Sequence, residues 1–149
     1  MENKIFEPRE LGFPEPRRPL YAQLVEDKFS PFYKRPLKDV FLCAFALGYK
    51  KGKREEVLKR KADIRFESLS TPQKWLLISV AVKEIGDVTL LTEEEKQRKI
   101  WIIAEEYANV GIKLLHETIY QTGYAGLGTK LLEDELRKEL GTSNSVKKQ

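Results

Sequence analysis

Apolar positions change rhythm several times along the chain, and each change predicts an element. Residues 1–37 show no sustained period and hold six of the seven prolines, each of which removes a backbone donor and biases its predecessor to extended geometry. They read as an extended proline-rich arm. Ile5, Phe6, Leu11 and Phe13 are placed to lie across a core or a partner, and a short helix from Tyr21 to Lys28 turns Leu24 and Val25 inward. From Val40 to Leu47 the apolar run is unbroken. Periodicity alone allows a buried strand there, but the Ala and Leu content favours a central helix over Lys38–Tyr49, ended by Gly48 and followed by cationic Lys50 and Lys51.

Helical spacing returns at Ser70. Pro72 suits a first turn, and Ser70 with Gln73 has the spacing of a capping box. Trp75, Leu76, Ile78, Val80, Ala81, Val82 and Ile85 form a wide apolar face ended by Gly86, and Asp87–Leu91 connects to the next helix. Thr92 with Glu95 predicts a second capping box, and Glu94 with Arg98 and Glu95 with Lys99 are i,i+4 pairs in the favourable order. Ile100, Ile103, Tyr107, Leu114 and Leu115 line one face of a helix running to Thr122, on the order of 45 Å long. Gly111 interrupts it and marks a kink or a close helix crossing. Gly123, Gly126 and Gly128 make a loop, Thr129–Leu140 a last amphipathic helix, and residues 141–149 a disordered tail.

The fold expected is all-α: one compact bundle of about four to six helices over residues 38–140, with the arm of residues 1–37 before it. A chain of 149 residues is one ordinary domain and needs no disulfide or metal to fold. With one histidine, His116, and one cysteine, Cys43, a site of several His and Cys ligands is excluded, and no phosphate loop, dinucleotide fingerprint or nucleophile elbow is present. Cys43 reads as a small buried apolar residue and His116 as a packing or surface residue. No metal and no cofactor is expected, and the protein reads as non-catalytic. Without a spanning or signal-like apolar run, it is expected to be soluble and cytoplasmic, with no membrane contact.

Charge sharpens this outline. Up to Arg65 there are 16 Lys and Arg against 10 Asp and Glu, and from Phe66 on 11 against 13, so the excess of +4 lies wholly in the first half. Its densest stretch sets Lys50, Lys51, Lys53, Arg54, Lys59, Arg60, Lys61 and Arg65 against Glu55, Glu56 and Asp63. Such a cluster suits nucleic-acid phosphates, and equally a solvated surface beside a helix end. Aromatics interleave with cations at Phe29, Phe32, Tyr33, Lys34 and Arg35, which suits base stacking or a core lidded by lysine stems. In Glu105–Ile112, Glu105, Asn109 and Lys113 share one i,i+4 row with Glu106 beside it, a polar patch for a partner chain. The alternative is that Asn109 serves a neighbouring loop's backbone while the glutamates are solvated. Glu105 and Glu106 point about 100° apart, which disfavours a shared acid and base site.

The order of these segments, PFYKRPLKDVFLCAFALGYKKGKR (Pro31–Arg54), IRFES (Ile64–Ser68), a helix ending in Gly86-Asp87, and EEYANVGI (Glu105–Ile112), resembles the family called DNA phosphorothioation-associated protein 4. The resemblance covers residues 29–123 and is most specific at Lys38–Phe41, Leu47–Lys50 and Glu105–Asn109. The chain departs from the family pattern at Val110, where a second glycine is common. The resemblance implies a small accessory protein of the bacterial and archaeal systems that replace a non-bridging phosphate oxygen of DNA with sulfur and restrict unmodified DNA, a form of antiviral defence. The partners implied are other proteins of a DNA modification or restriction system, through Glu105, Glu106, Asn109 and Lys113. DNA itself, through residues 50–65, is the alternative, and a homodimer is compatible. The family brings no catalytic motif.

Overall fold

The computed structural model describes residues 5–121. The element order is β1 (Glu10–Pro14), α1 (Arg18–Glu26), α2 (Leu37–Lys51), β2 (Arg60–Arg65), α3 (Thr71–Ile85) and α4 (Glu94–Tyr120), with short 3-10 turns before α1, after β2 and after α3. The architecture is mostly helical, with α2 packed along α4 as its centre. The loop at Gly123–Gly128, the helix at Thr129–Leu140 and the tail of residues 141–149 lie outside the described residues.

The all-α expectation is corrected by a small antiparallel sheet. β1 pairs with β2 in the register Glu10 to Arg65, Leu11 to Ile64, Gly12 to Ala62, Phe13 to Lys61 and Pro14 to Arg60. The shift between Leu11 and Gly12 leaves Asp63 outside the pairing, and its carboxylate meets Arg18 at the start of α1. The proline-rich segment is a strand from Glu10 to Pro14 and then turns helical, with Pro16 in a 3-10 turn and Pro19 in α1. Leu11 and Phe13 are fully buried, and the Phe13 ring stacks on Tyr21 of α1 at 4.2 Å. α1 itself starts at Arg18, three residues earlier than its pattern suggests, with Pro19 in its first turn.

α2 does not stop at Gly48. It continues to Lys51 and ends on Gly52, whose φ of 76° is the left-handed conformation a glycine cap supplies. Gly48 and Gly111 serve the helix crossing instead. A Cβ on Gly48 would overlap the Tyr107 carbonyl, and one on Gly111 would overlap the Ala44 carbonyl, so the two backbones touch where neither helix carries a side chain. Around this contact Val40, Phe41, Phe45, Ile100, Ile112 and Leu115 fill the core.

α3 begins as its sequence predicts. Ser70 Oγ accepts from Gln73 N at 3.2 Å, and Gln73 Oε1 accepts from Ser70 N at 2.8 Å. Its apolar face is narrower than predicted, because Trp75 and Leu76 are 50% and 48% exposed. The capping box predicted at Thr92 is not formed. Glu93 is the N-cap of α4, without a side-chain cap bond, and Thr92 Oγ1 donates back to the Thr89 carbonyl at 3.0 Å. Among the described residues, no helix is long and apolar enough to cross a membrane.

Candidate functional site

α4 carries Gln97, Trp101, Glu105 and Asn109 at successive i,i+4 positions, which places them on one face. All four are buried. A buried polar group needs a partner, and this row finds its partners outside the α-helices. Gln97 Oε1 accepts from Phe6 N at 2.6 Å, while its amide nitrogen donates to the Leu91 carbonyl at 3.0 Å. Trp101 Nε1 donates to the Phe6 carbonyl at 2.9 Å.

One turn further on, Glu105 receives three donors. Arg60 reaches it with Nε to Oε1 at 2.9 Å and Nη2 to Oε2 at 2.8 Å, and Gly12 N donates to Oε2 at 2.8 Å. Arg60 Nη2 also donates to the Glu10 carbonyl at 3.0 Å, so one guanidinium, carried on β2, joins β1 to α4. The hydrogen bond to Glu105 raises the Arg60 pKa further above its ordinary value. Asn109 follows: its amide donates to the Glu55 and Glu56 carbonyls at 3.2 Å each, and its oxygen accepts from Arg17 Nε at 3.3 Å. Asn109 thus serves a loop's backbone, and Glu105 is buried and paired.

Glu106 faces elsewhere, as the 100° offset requires. Its Oε1 accepts from Arg54 Nη1 at 3.1 Å, and Arg54 Nε lies 3.4 Å from Glu84 Oε1 on α3. The same guanidinium sits 5.7 Å from the Tyr107 ring centroid. The Tyr107 hydroxyl is pushed up to about 12, first by burial and then by its hydrogen bond with Glu84. The two segments singled out in the sequence therefore meet: residues 54–60 are clamped onto residues 105–109 through Arg54, the Glu55 and Glu56 carbonyls, and Arg60.

This clamp divides the basic cluster. Arg54 and Arg60 hold the fold together, and Arg65 lies 3.1 Å from Glu67 with both side chains exposed. Lys50, Lys51, Lys53, Lys59 and Lys61 are exposed. Of these, Lys51 and Lys53 join Arg54 of the clamp and exposed Lys113 of α4 around a groove of about 400 Å³. Val110 and Leu114 give the groove apolar wall, and Glu55 and Glu117 add negative charge.

His116 and Cys43 lie apart from this groove's lining. His116 Nε2 lies 2.7 Å from Gln23 Oε1, and burial lowers the imidazole pKa. Cys43 is partly buried on α2, and burial pushes its thiol up, away from a reactive thiolate. Among the described residues, no group of three or more His, Cys, Asp or Glu is placed to hold a metal ion.

A family model described as DNA sulphur modification system-associated protein 4 matches residues 13–126, more than half of the chain. The chain belongs to that family. The match begins at Phe13 within β1, so it takes in Arg17 and α1 as well as the stretch from residue 29 that carries the motifs, and with them most of the clamp. No curated protein and no solved structure matches the chain.

Arg17, the Gly12 amide and Gln97 are the partners within this network that sequence reasoning missed. Arg17 and Gly12 stand 92 and 93 positions from the residues they bind. The signal within reach was the i,i+4 recurrence of Gln97, Trp101, Glu105 and Asn109, a polar stripe on an otherwise apolar helix face.

Proposed function

We propose that the protein is a non-catalytic accessory member of a DNA sulphur modification system, working in the cytoplasm by contact with another protein of that system. The observation that carries the reading is the mixed chemistry of the groove beside the clamp. Lys51, Lys53, Arg54 and Lys113 stand there with Glu55 and Glu117 around Val110 and Leu114. The two glutamates disfavour a phosphate backbone locally although the four cations outnumber them, whereas a protein segment of both signs can pair with each charge and cover the apolar wall. The clamp supports the reading by holding this surface on a rigid frame, which lowers the ordering cost of binding. Of the residues read in sequence as a partner patch, Lys113 is the one that lines this groove; Glu105, Glu106 and Asn109 position the loop opposite it.

The test is pairwise calorimetry of the purified chain with each protein of its own modification system. Binding to one of them, weakened about tenfold by K53E with K113E at unchanged thermal stability, supports the reading. Binding to none of them, or affinity unmoved by the charge reversals, overturns it.

A second reading is direct DNA contact by the basic segment, favoured by the exposure of Lys59 and Lys61 around the start of β2. It predicts duplex binding that falls steeply with salt and is abolished in K59Q/K61Q. No duplex binding at about 50 mM salt removes it.

A further inference from the structure

The connection between α1 and α2, residues 27–36, is a short turn tied down along its length. Ser30 is buried, its N–H donates to the Asp27 carbonyl at 2.9 Å, and its Oγ accepts from Phe32 N at 3.0 Å. Tyr33 N donates to the Ser30 carbonyl at 3.1 Å, and Arg35 N to the Phe32 carbonyl at 2.9 Å. The Asp27 carboxylate accepts from Phe29 N and from the Tyr120 hydroxyl of α4, each at 2.9 Å. Lys34 N donates to the Val25 carbonyl at 2.9 Å and holds Lys34 at a φ of 62°, a conformation a lysine seldom adopts. Pro31 and Pro36 stiffen the same stretch.

This rigid turn points apolar rings at solvent. Phe32 packs on the core, but Phe29 is 61% and Tyr33 40% exposed. Each exposed ring carries a lysine: Lys28 Nζ is 5.5 Å from the Phe29 centroid, and Lys34 Nζ is 5.3 Å from that of Tyr33. The acids nearby are largely committed, Asp27 to Phe29 N and Tyr120 and Asp39 to Arg35 at 3.6 Å, leaving Glu26 as the exposed carboxylate at the end of α1.

We propose that this turn binds the unpaired bases of single-stranded nucleic acid, with Phe29 and Tyr33 as stacking rings and Lys28 and Lys34 as phosphate contacts. Each ammonium lies over its ring, and a base that stacks there in its place brings a phosphate within reach of the same flexible lysine. Paired bases hide their faces inside the duplex, so the site favours a single strand. The turn is already in one conformation, so little order is lost on binding. It stands at the N-terminal end of α2, whereas the groove begins at the C-terminal end, roughly 20 Å away at 1.5 Å per residue, so simultaneous occupation of both is compatible with the fold.

The test is fluorescence anisotropy with a labelled thymidine oligonucleotide and a duplex of equal length. We expect tighter binding to the single strand, weakened by F29A and by Y33A by on the order of five- to a hundredfold each, and retained in Y33F. In K28Q/K34Q the slope of log affinity against log salt is expected to fall by about 0.7 for each phosphate that a lysine no longer neutralises. Thermal unfolding controls for the fold, and if F29A is destabilised then Y33A with the lysine pair reads the site. No binding of the oligonucleotide at about 50 mM salt overturns the proposal, as does equal binding by the alanine variants. So does a Y33A variant that keeps its oligonucleotide affinity but no longer binds a protein partner. Failure here leaves the groove untouched, since K53E and K113E lie outside this turn.

Discussion

Arg60 grips Glu105 with two parallel hydrogen bonds, at 2.9 and 2.8 Å, across 45 positions of sequence. The carboxylate is buried, with its side chain 7% exposed, whereas the arginine side chain is 42% exposed. A buried ion pair is weak as a net source of stability, but removing one partner strands the other charge. Here the pair is also the place where the sheet is fastened to α4, because Glu105 takes the Gly12 amide as well.

Arg60→Ala is therefore expected to lower unfolding free energy by about 2 kcal/mol, less than for a fully buried pair, because water can enter the space beside Glu105. Arg60→Lys keeps the charge but not the fork and is expected to recover part of that stability. Urea denaturation reads both; a decrease below about 0.5 kcal/mol in Arg60→Ala excludes this role.

The crossing of α2 and α4 makes a sharper forecast. In an isolated helix, glycine to alanine gains about 1 kcal/mol. At Gly48 and Gly111 the new methyl meets the partner helix backbone, so each substitution is expected to destabilise by about 3 kcal/mol or more. Thermal melts of the two single variants test this, and neutral or stabilised variants contradict the close approach.

Two threonine and serine positions with the same capping pattern are expected to behave differently. Ser70→Ala removes a formed capping box and should cost about 1 kcal/mol. Thr92→Ala removes only a hydroxyl bonded to Thr89 on an exposed turn, and a few tenths of a kcal/mol is expected. Equal destabilisation of the two in chemical denaturation would place a cap at Thr92 after all.

Alkaline pH offers a readout of the turn that holds Phe29 and Tyr33. The Tyr120 hydroxyl is pushed up to about 12, first by burial and then by its bond to Asp27. A raised pKa means that the folded state favours the protonated phenol, so its contribution is complete below the unfolded value of about 10 and is lost as pH rises towards 12. Tyr120→Phe is expected to be less stable than the wild type near neutral pH, with the gap closing between about pH 10 and 12. A gap that is constant across this range, followed by circular dichroism, rules out the coupling.

The helical half of the protein is legible from local signals. Ser70 with Gln73 places the start of α3, Gly86 its end, and the spacing of Ile100, Ile103, Tyr107 and Leu115 gives α4 its buried face. Gly111 marks a crossing because a glycine inside a helix costs free energy that only a close neighbour repays. β2 is hidden for the opposite reason. RKADIR carries four charges in six residues and one buried apolar side chain, so no alternation announces a strand.

By itself the sequence determined the outlines of α1 to α4, the position of the basic excess, the scarcity of His and Cys, and the family. Those properties are local or compositional, set by capping, periodicity and residue counts. Only the tertiary structure decided which charges hold the fold and which face solvent. Arg54 and Lys53 are neighbours in the chain, chemically alike, and both line the groove, yet it is Arg54 that ties Glu84 and Glu106. Pairing depends on what lies across space: Glu105, Glu106 and Asn109 are brought to residues 54–60 by the packing of α2 on α4, an approach closed by two glycines 63 positions apart.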